Sequence, residues 1–248
     1  MGPVAAVIIL VTVLITSFIS GIFGMAGGII FMGVLTSLVP VAMAMMIHGA
    51  VQMVSNGYRA FLWRRHINWT VFRRYALGSV GAVLLLFALS WRPDKQMVYL
   101  MLGLVTLLVW LPKRVADLDI QKPFQAEGAG FVVQALNTVA GVAGPLLDQF
   151  FVRTDLTRHE IVATKAITQV LAHFVKIIFW SVPVLMTAGV EALPPAWLIL
   201  LAAALSMLGT TLGGKVLDRM SDVNFKRGMK YLVTAVGIVM FIKAVGWL

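Results

Sequence analysis

Long apolar runs separated by short polar stretches dominate this chain. "PVAAVIILVTVLITSFISGIF", "YALGSVGAVLLLFALSW", "MVYLMLGLVTLLVWL" and "AWLILLAAALSMLGTTLGG" approach or exceed the roughly 20 residues that a membrane-spanning helix needs. The alternation of polar and apolar positions that marks a β-barrel strand is absent. Twice an apolar run is broken by small residues, at "GMAGG" (24 to 28) and "GVAGP" (141 to 145). Glycine permits a turn there, and non-helical backbone at membrane depth survives only where protein or a wet cavity satisfies its polar groups.

The two breaks stand 117 positions apart, and the same shift lays Gly24, Ala26 and Gly27 on Gly141, Ala143 and Gly144. It also lays Gln52 on Gln169, Arg59 on Lys176 and Trp63 on Trp180 without a gap. Such an ordered series points to a duplicated chain. Two loops are strongly basic, "RRHINWTVFRR" (64 to 74) with four Arg and "KVLDRMSDVNFKRGMK" (215 to 230) with five Lys or Arg, whereas "SVPVLMTAGVEALPPAW" (181 to 197) carries no Lys or Arg. Basic loops stay in the cytoplasm. The helix ending at Trp63 therefore exits inside and its copy ending at Trp180 exits outside, which makes the repeat an inverted one.

The expected fold is an all-α polytopic membrane protein in which each half is a Gly-broken re-entrant segment plus three spanning helices. The re-entrant segments are placed at 1 to 36 and 128 to 153. The spans are placed at 40 to 64, 69 to 90, 95 to 112, 157 to 181, 195 to 215 and 227 to 247. Residues 1–112 form the first repeat, 113–127 a cytoplasmic linker and 128–248 the second repeat, with the C-terminus outside. The rival is eight spans, four in each half, which must put one strongly basic loop outside. "TRHE" (157 to 160) has capping-box spacing and should start the fourth span. The first run lacks the basic flank of a signal peptide and reads as mature sequence, long enough either to span or to re-enter.

Composition agrees with a membrane protein. Of 248 residues 60% are hydrophobic and 12% charged, and mean hydropathy is +0.94. That is too little polar surface to cover a soluble globule of this size. The net charge of +10 sits in loops rather than on one face, so it argues for topology and against nucleic-acid binding. Without cysteine there is no disulfide, thiolate metal site or thiol redox centre.

The Gly-rich break near the start of each half, followed by an apolar helix with a few polar residues, resembles the TauE/SafE sulfite exporter family over nearly the whole chain. The family's usual run of three glycines followed by proline is reduced here to "MAGGIIFMG" and replaced in the second half by "VAGPLLD". The resemblance implies a permease for sulfite, organosulfonates or related small sulfur oxyanions.

Polar residues inside the apolar helices are the candidate site. His48, Gln52, Asn56, Arg59 and Trp63 follow helical spacing on one face, and their copies are Lys165, Gln169, His173, Lys176 and Trp180. Such side chains are costly in hydrocarbon and should face a wet cavity. With Gly24, Gly27, Gly28, Gly141 and Gly144 they would surround an anion with cations, amide hydrogens and helix N-termini. The plainer alternatives are that Arg59 and Lys176 snorkel to headgroups, that Gln52 and Gln169 only join helices, and that Lys165 pairs with Asp148 or Glu160. Trp63 and Trp180 read as interfacial belt residues. Asp148 is a proton-coupling group or the counter-ion of Lys165.

No nucleophile elbow, zinc motif or P-loop occurs, so the expectation is a transporter and not an enzyme, with no catalytic residue, metal or cofactor. Transport would draw on protons or membrane potential; export of an anion from a negative-inside cell gains about 2.3 kcal/mol per charge per 100 mV. The expected partners are the small anion and the bilayer of the cell inner or plasma membrane, with a homodimer left open. An importer or channel with the same site, or a non-transporting membrane assembly subunit, are the alternatives.

Overall fold

A computed structural model describes residues 2–23, 26–107, 110, 118–151, 153–217 and 222–246. Among the described residues it is all-helical, a multi-pass membrane protein of ten α-helices and short 3-10 turns. In chain order these are α1 (Pro3–Phe23), α2 (Ala26–Leu38), α3 (Val41–Leu62), α4 (Trp69–Leu89), α5 (Lys95–Leu107), α6 (Gln125–Ala140), α7 (Gly144–Phe151), α8 (Arg158–Ala188), α9 (Ala196–Leu217) and α10 (Asp222–Ala244). The segments Pro3–Ile22, Trp69–Leu89, His159–Ala188 and Val190–Val216 are long and apolar enough to cross a membrane.

Local chemistry sets the boundaries. The Asn68 side chain accepts from Val71 N at 3.1 Å and opens α4. Thr157 and Glu160 form the expected capping box at the start of α8, satisfying amides that the first turn leaves without helical partners. Gly141 closes α6 with φ +85°, a left-handed conformation that glycine adopts without cost. Two boundaries depart from expectation among the described residues. Helix α6 begins at Gln125, inside the stretch read as a linker, while the expected end of the third span, near 112, lies outside the described residues. The first part of that linker, 113 to 117, lies outside the described residues. Helix α8 does not stop near residue 181 but runs through Pro183 to Ala188.

Glycines let the helices approach backbone to backbone. On α1 and α9, a Cβ at Gly21 would meet the Thr210 carbonyl, and a Cβ at Gly209 the Leu14 carbonyl. Gly78 of α4 and Gly130 of α6 lie against the backbones of Glu127 and Tyr75 in the same manner. Small residues at such interfaces substitute close van der Waals contact for the hydrophobic drive that lipid removes. The pairing is matched: α1 lies along α9 and α6 along α4, α3 lies along α8, and α5 along α10.

At its start α2 doubles back on α1, because Gly27 rests on the Thr16 carbonyl and the Ser20 hydroxyl. The break itself, with Gly24, lies outside the described residues. Helices α3 and α8 are antiparallel at the centre: Gly49 approaches Ile177 and Lys176, Gly57 approaches Val170, and the Trp63 ring lies 4.6 Å from that of His159. One end of this pair, by Arg64, Arg65, Arg73 and Arg74, is the basic end. The far end carries the loop after α4 and the last turns of α8.

Candidate anion site between the two halves

The cavity that matters opens between α3 and α8. It is lined by Gly28, His48, Gln52, Asn56, Arg59, Gly144, Gln169 and His173, together with Ser20, Asn137 and Val142. Apolar helices carry this polar row because the four α3 residues recur on one helical face. From His48 to Arg59 the row climbs eleven residues, about 16 Å at the helical rise. Gln52 and Arg59 are the half-buried members, and Arg59 lies nearest the basic end.

The lining is short of internal partners. Asn56 Nδ2 donates to the Gln52 carbonyl at 2.9 Å, but both amide atoms of Asn137, Nε2 of Gln169 and Nδ1 of His173 are buried with no hydrogen-bond partner. Buried polar groups are ordinarily paired, so a cluster of unpaired ones around one cavity marks a place meant for something polar. Among the described residues no carboxylate lines this cavity, and none is paired with Arg59. The arrangement offers a guanidinium and amide N–H groups, and it suits a small oxyanion.

Beneath the cavity a buried network ties the halves together. Lys176 Nζ donates to His48 Nδ1 and to the Gly141 carbonyl, each at 2.8 Å. His48 Nε2 is 3.0 Å from the Gly28 carbonyl, so an imidazole with hydrogen on Nε2 satisfies every atom in the chain of bonds. The His48 ring stacks on Phe31 with centroids 5.6 Å apart and meets His173 edge-on at 5.5 Å. Through these contacts a glycine segment of each half is held by a side chain from a spanning helix.

The expected site residues thus divide. His48, Gln52, Asn56, Arg59, Gln169, His173, Gly28 and Gly144 converge on the cavity. Lys176 does not snorkel: it is 0% exposed and acts behind the cavity wall. Lys165 is ion-paired with Asp148 on α7, which realises the counter-ion alternative. Gly27 and Gly141 shape the backbone, the former as a close contact of α1 with α2 and the latter as a turn and a carbonyl. The belt reading suits Trp63, which is 39% exposed, but not Trp180, which is 4% exposed and donates from Nε1 to the Thr138 carbonyl at 2.8 Å. Ser20 and Asn137 were missed. The 117-residue shift pairs them, and they sit one turn before the two breaks.

Residues 8–240 match the family described as Sulfite exporter TauE/SafE. The chain belongs to the TauE/SafE family. Comparison with curated proteins and with solved structures returned no match. Membership in TauE/SafE makes this protein a membrane transporter of the sulfite and sulfur-anion class.

Proposed function

We propose that this TauE/SafE member exports a small sulfur oxyanion, sulfite or an organosulfonate, through the cavity between α3 and α8. The observation that carries the reading is a cavity with a cation, no carboxylate among its described lining residues, and buried amide groups without partners. A sulfite or sulfonate head presents three oxygens. Arg59 can take two in a forked contact, and Asn137 and Gln169 can supply further N–H groups. The ion pair of Lys165 with Asp148 is the element where proton coupling would enter.

Transport would proceed by alternating access, the halves 1–112 and 128–248 rocking as inverted repeats about the central site. The matched pairing of α1 with α9 and of α6 with α4 supports that reading, since a two-fold relation between halves generates it. The basic end is assigned to the cytoplasm and the C-terminus to the outside of the cell membrane. The cavity then opens inward, toward Arg59. An anion leaving a negative-inside cell moves down the potential, by about 2.3 kcal/mol per charge per 100 mV, so export needs no further energy source.

The test is stabilisation of the purified protein by anions. A ligand that binds only the folded state adds about 2.7 kcal/mol at 100 times its dissociation constant. Sulfite, sulfoacetate or taurine should raise the thermal midpoint, and lactate and chloride should not. An Arg59→Gln, Asn137→Leu double variant should lose the effect. Equal stabilisation by every anion, or none by any sulfur anion, counts against the reading.

A further inference from the structure

We propose that Arg92, in the loop after α4, is the latch of the far-side gate and that Pro183 creates its target. Pro183 lies inside α8 and has no N–H, so the carbonyl of Phe179, four residues earlier, loses its helical donor. Arg92 supplies the replacement. Its Nη2 donates to Phe179 O at 3.1 Å, and its guanidinium carbon stands 4.5 Å from the centre of the Phe179 ring. The other arm, Nη1, holds the Ser90 carbonyl at 3.1 Å. One side chain therefore fastens the loop between α4 and α5 to both the backbone and the ring of one residue in α8.

That residue belongs to the far-side seal. Phe179 is 0% exposed and packs edge-on against Phe87 of α4, with centroids 5.3 Å apart. Its neighbour Trp180 is bonded to the Thr138 carbonyl of α6, one helical turn beyond Lys176. Toward the far end these two rings stand beyond His48 and Lys176, where the lining of the cavity ends. A proline inside a helix is also a place where the helix bends. The weakened turn of α8 runs from the freed Phe179 carbonyl to Pro183, past Gln169 and His173, so a bend there released from Arg92 loosens Phe179 and Trp180 at the hinge while the preceding turns that carry the site keep their place. The first half has no such hinge, because α3 ends at Leu62 and the position equivalent to Pro183 is His66. Arg92 is a positioning residue: it touches the seal and not the anion.

The inference rests on the alternating-access reading. Because the chain has no cysteine, a single Val142→Cys change places one thiol in the cavity for labelling with a membrane-impermeant maleimide, applied to inside-out or right-side-out vesicles. The expected result is labelling from the basic face and protection from the far face. Adding Arg92→Ala should raise far-face labelling by about tenfold or more, the factor that loss of one charge-assisted hydrogen bond gives. Pro183→Ala restores a helical N–H that competes for the Phe179 carbonyl, so it should raise far-face labelling as well and shrink the further effect of Arg92→Ala. Arg92→Lys, which keeps the charge but not the forked geometry, should be intermediate. Far-face labelling unchanged by Arg92→Ala in a protein that still carries flux overturns the latch alone, as do effects of Arg92→Ala and Pro183→Ala that simply multiply. Equal labelling from both faces before either change overturns the sealed far side and the alternating-access reading with it.

Discussion

Replacing Lys176 by methionine isolates the network that joins the two halves. The change keeps most of the buried aliphatic chain and removes the amine. It leaves two buried acceptors, His48 Nδ1 and Gly141 O, each previously bonded at 2.8 Å, without donors. A buried polar group left unpaired costs about 1–3 kcal/mol, so the two together cost about 2–6 kcal/mol. Methionine also removes the cost of burying an amine that has no carboxylate partner, which offsets part of that loss. The net expectation is a destabilisation of about 2–3 kcal/mol, which at about 2–4 °C per kcal/mol for a chain of this size lowers the thermal midpoint by about 4–12 °C. The assay is a melting curve in detergent for wild type, Lys176→Met, His48→Phe and the double variant. His48→Phe removes the shared partner, so the double variant should fall short of the sum of the singles by about 1 kcal/mol or more. Additive losses, or a Lys176→Met protein as stable as wild type, would refute the network as described.

Asn137 gives the opposite separation of stability from function. Both its amide atoms are buried and unpartnered, so Asn137→Leu should leave the thermal midpoint unchanged or higher, while the apparent affinity for the transported anion falls about tenfold or more in a concentration series of flux. Gly27→Ala should act on the fold instead: the new methyl meets the Thr16 carbonyl and the Ser20 hydroxyl, and overpacking of that kind costs about 1–3 kcal/mol, read as a lower midpoint and poorer yield of folded protein. Thr157→Ala removes one half of the capping box at the start of α8 and should cost about 1 kcal/mol with little change in anion affinity.

Much of the candidate site's lining was legible because membranes make polar residues conspicuous. His48, Gln52, Asn56 and Arg59 stand on one face of an otherwise apolar helix, and only a wet interior accommodates such a row. The helix starts Val41 and Arg158 are themselves separated by the same 117 positions as the glycine breaks. Ser20 and Asn137 escaped notice for the converse reason: serine and asparagine beside a glycine turn read as turn chemistry, and only the repeat shift pairs them across the cavity. Lys176 and His48 are not copies of each other, so symmetry gave no hint that they bond. Trp180 was misplaced because its copy, Trp63, ends a helix while α8 continues past Pro183, and a proline beside a loop-like stretch reads as a boundary.

The most direct test of the central claim is electrical. Purified protein is reconstituted in proteoliposomes on a solid-supported membrane, and currents are recorded on jumps of sulfite, sulfate, sulfoacetate, taurine, lactate and chloride, for wild type and for Arg59→Gln. The account predicts a saturable current for one or more sulfur anions in wild type, absent for lactate and chloride. Arg59→Gln should need about tenfold or more substrate for half-maximal current, since it removes a charge-assisted hydrogen bond to the anion. A wild-type protein that carries no sulfur anion, or an Arg59→Gln variant that carries it with unchanged concentration dependence, would contradict the placement of the transported anion between α3 and α8.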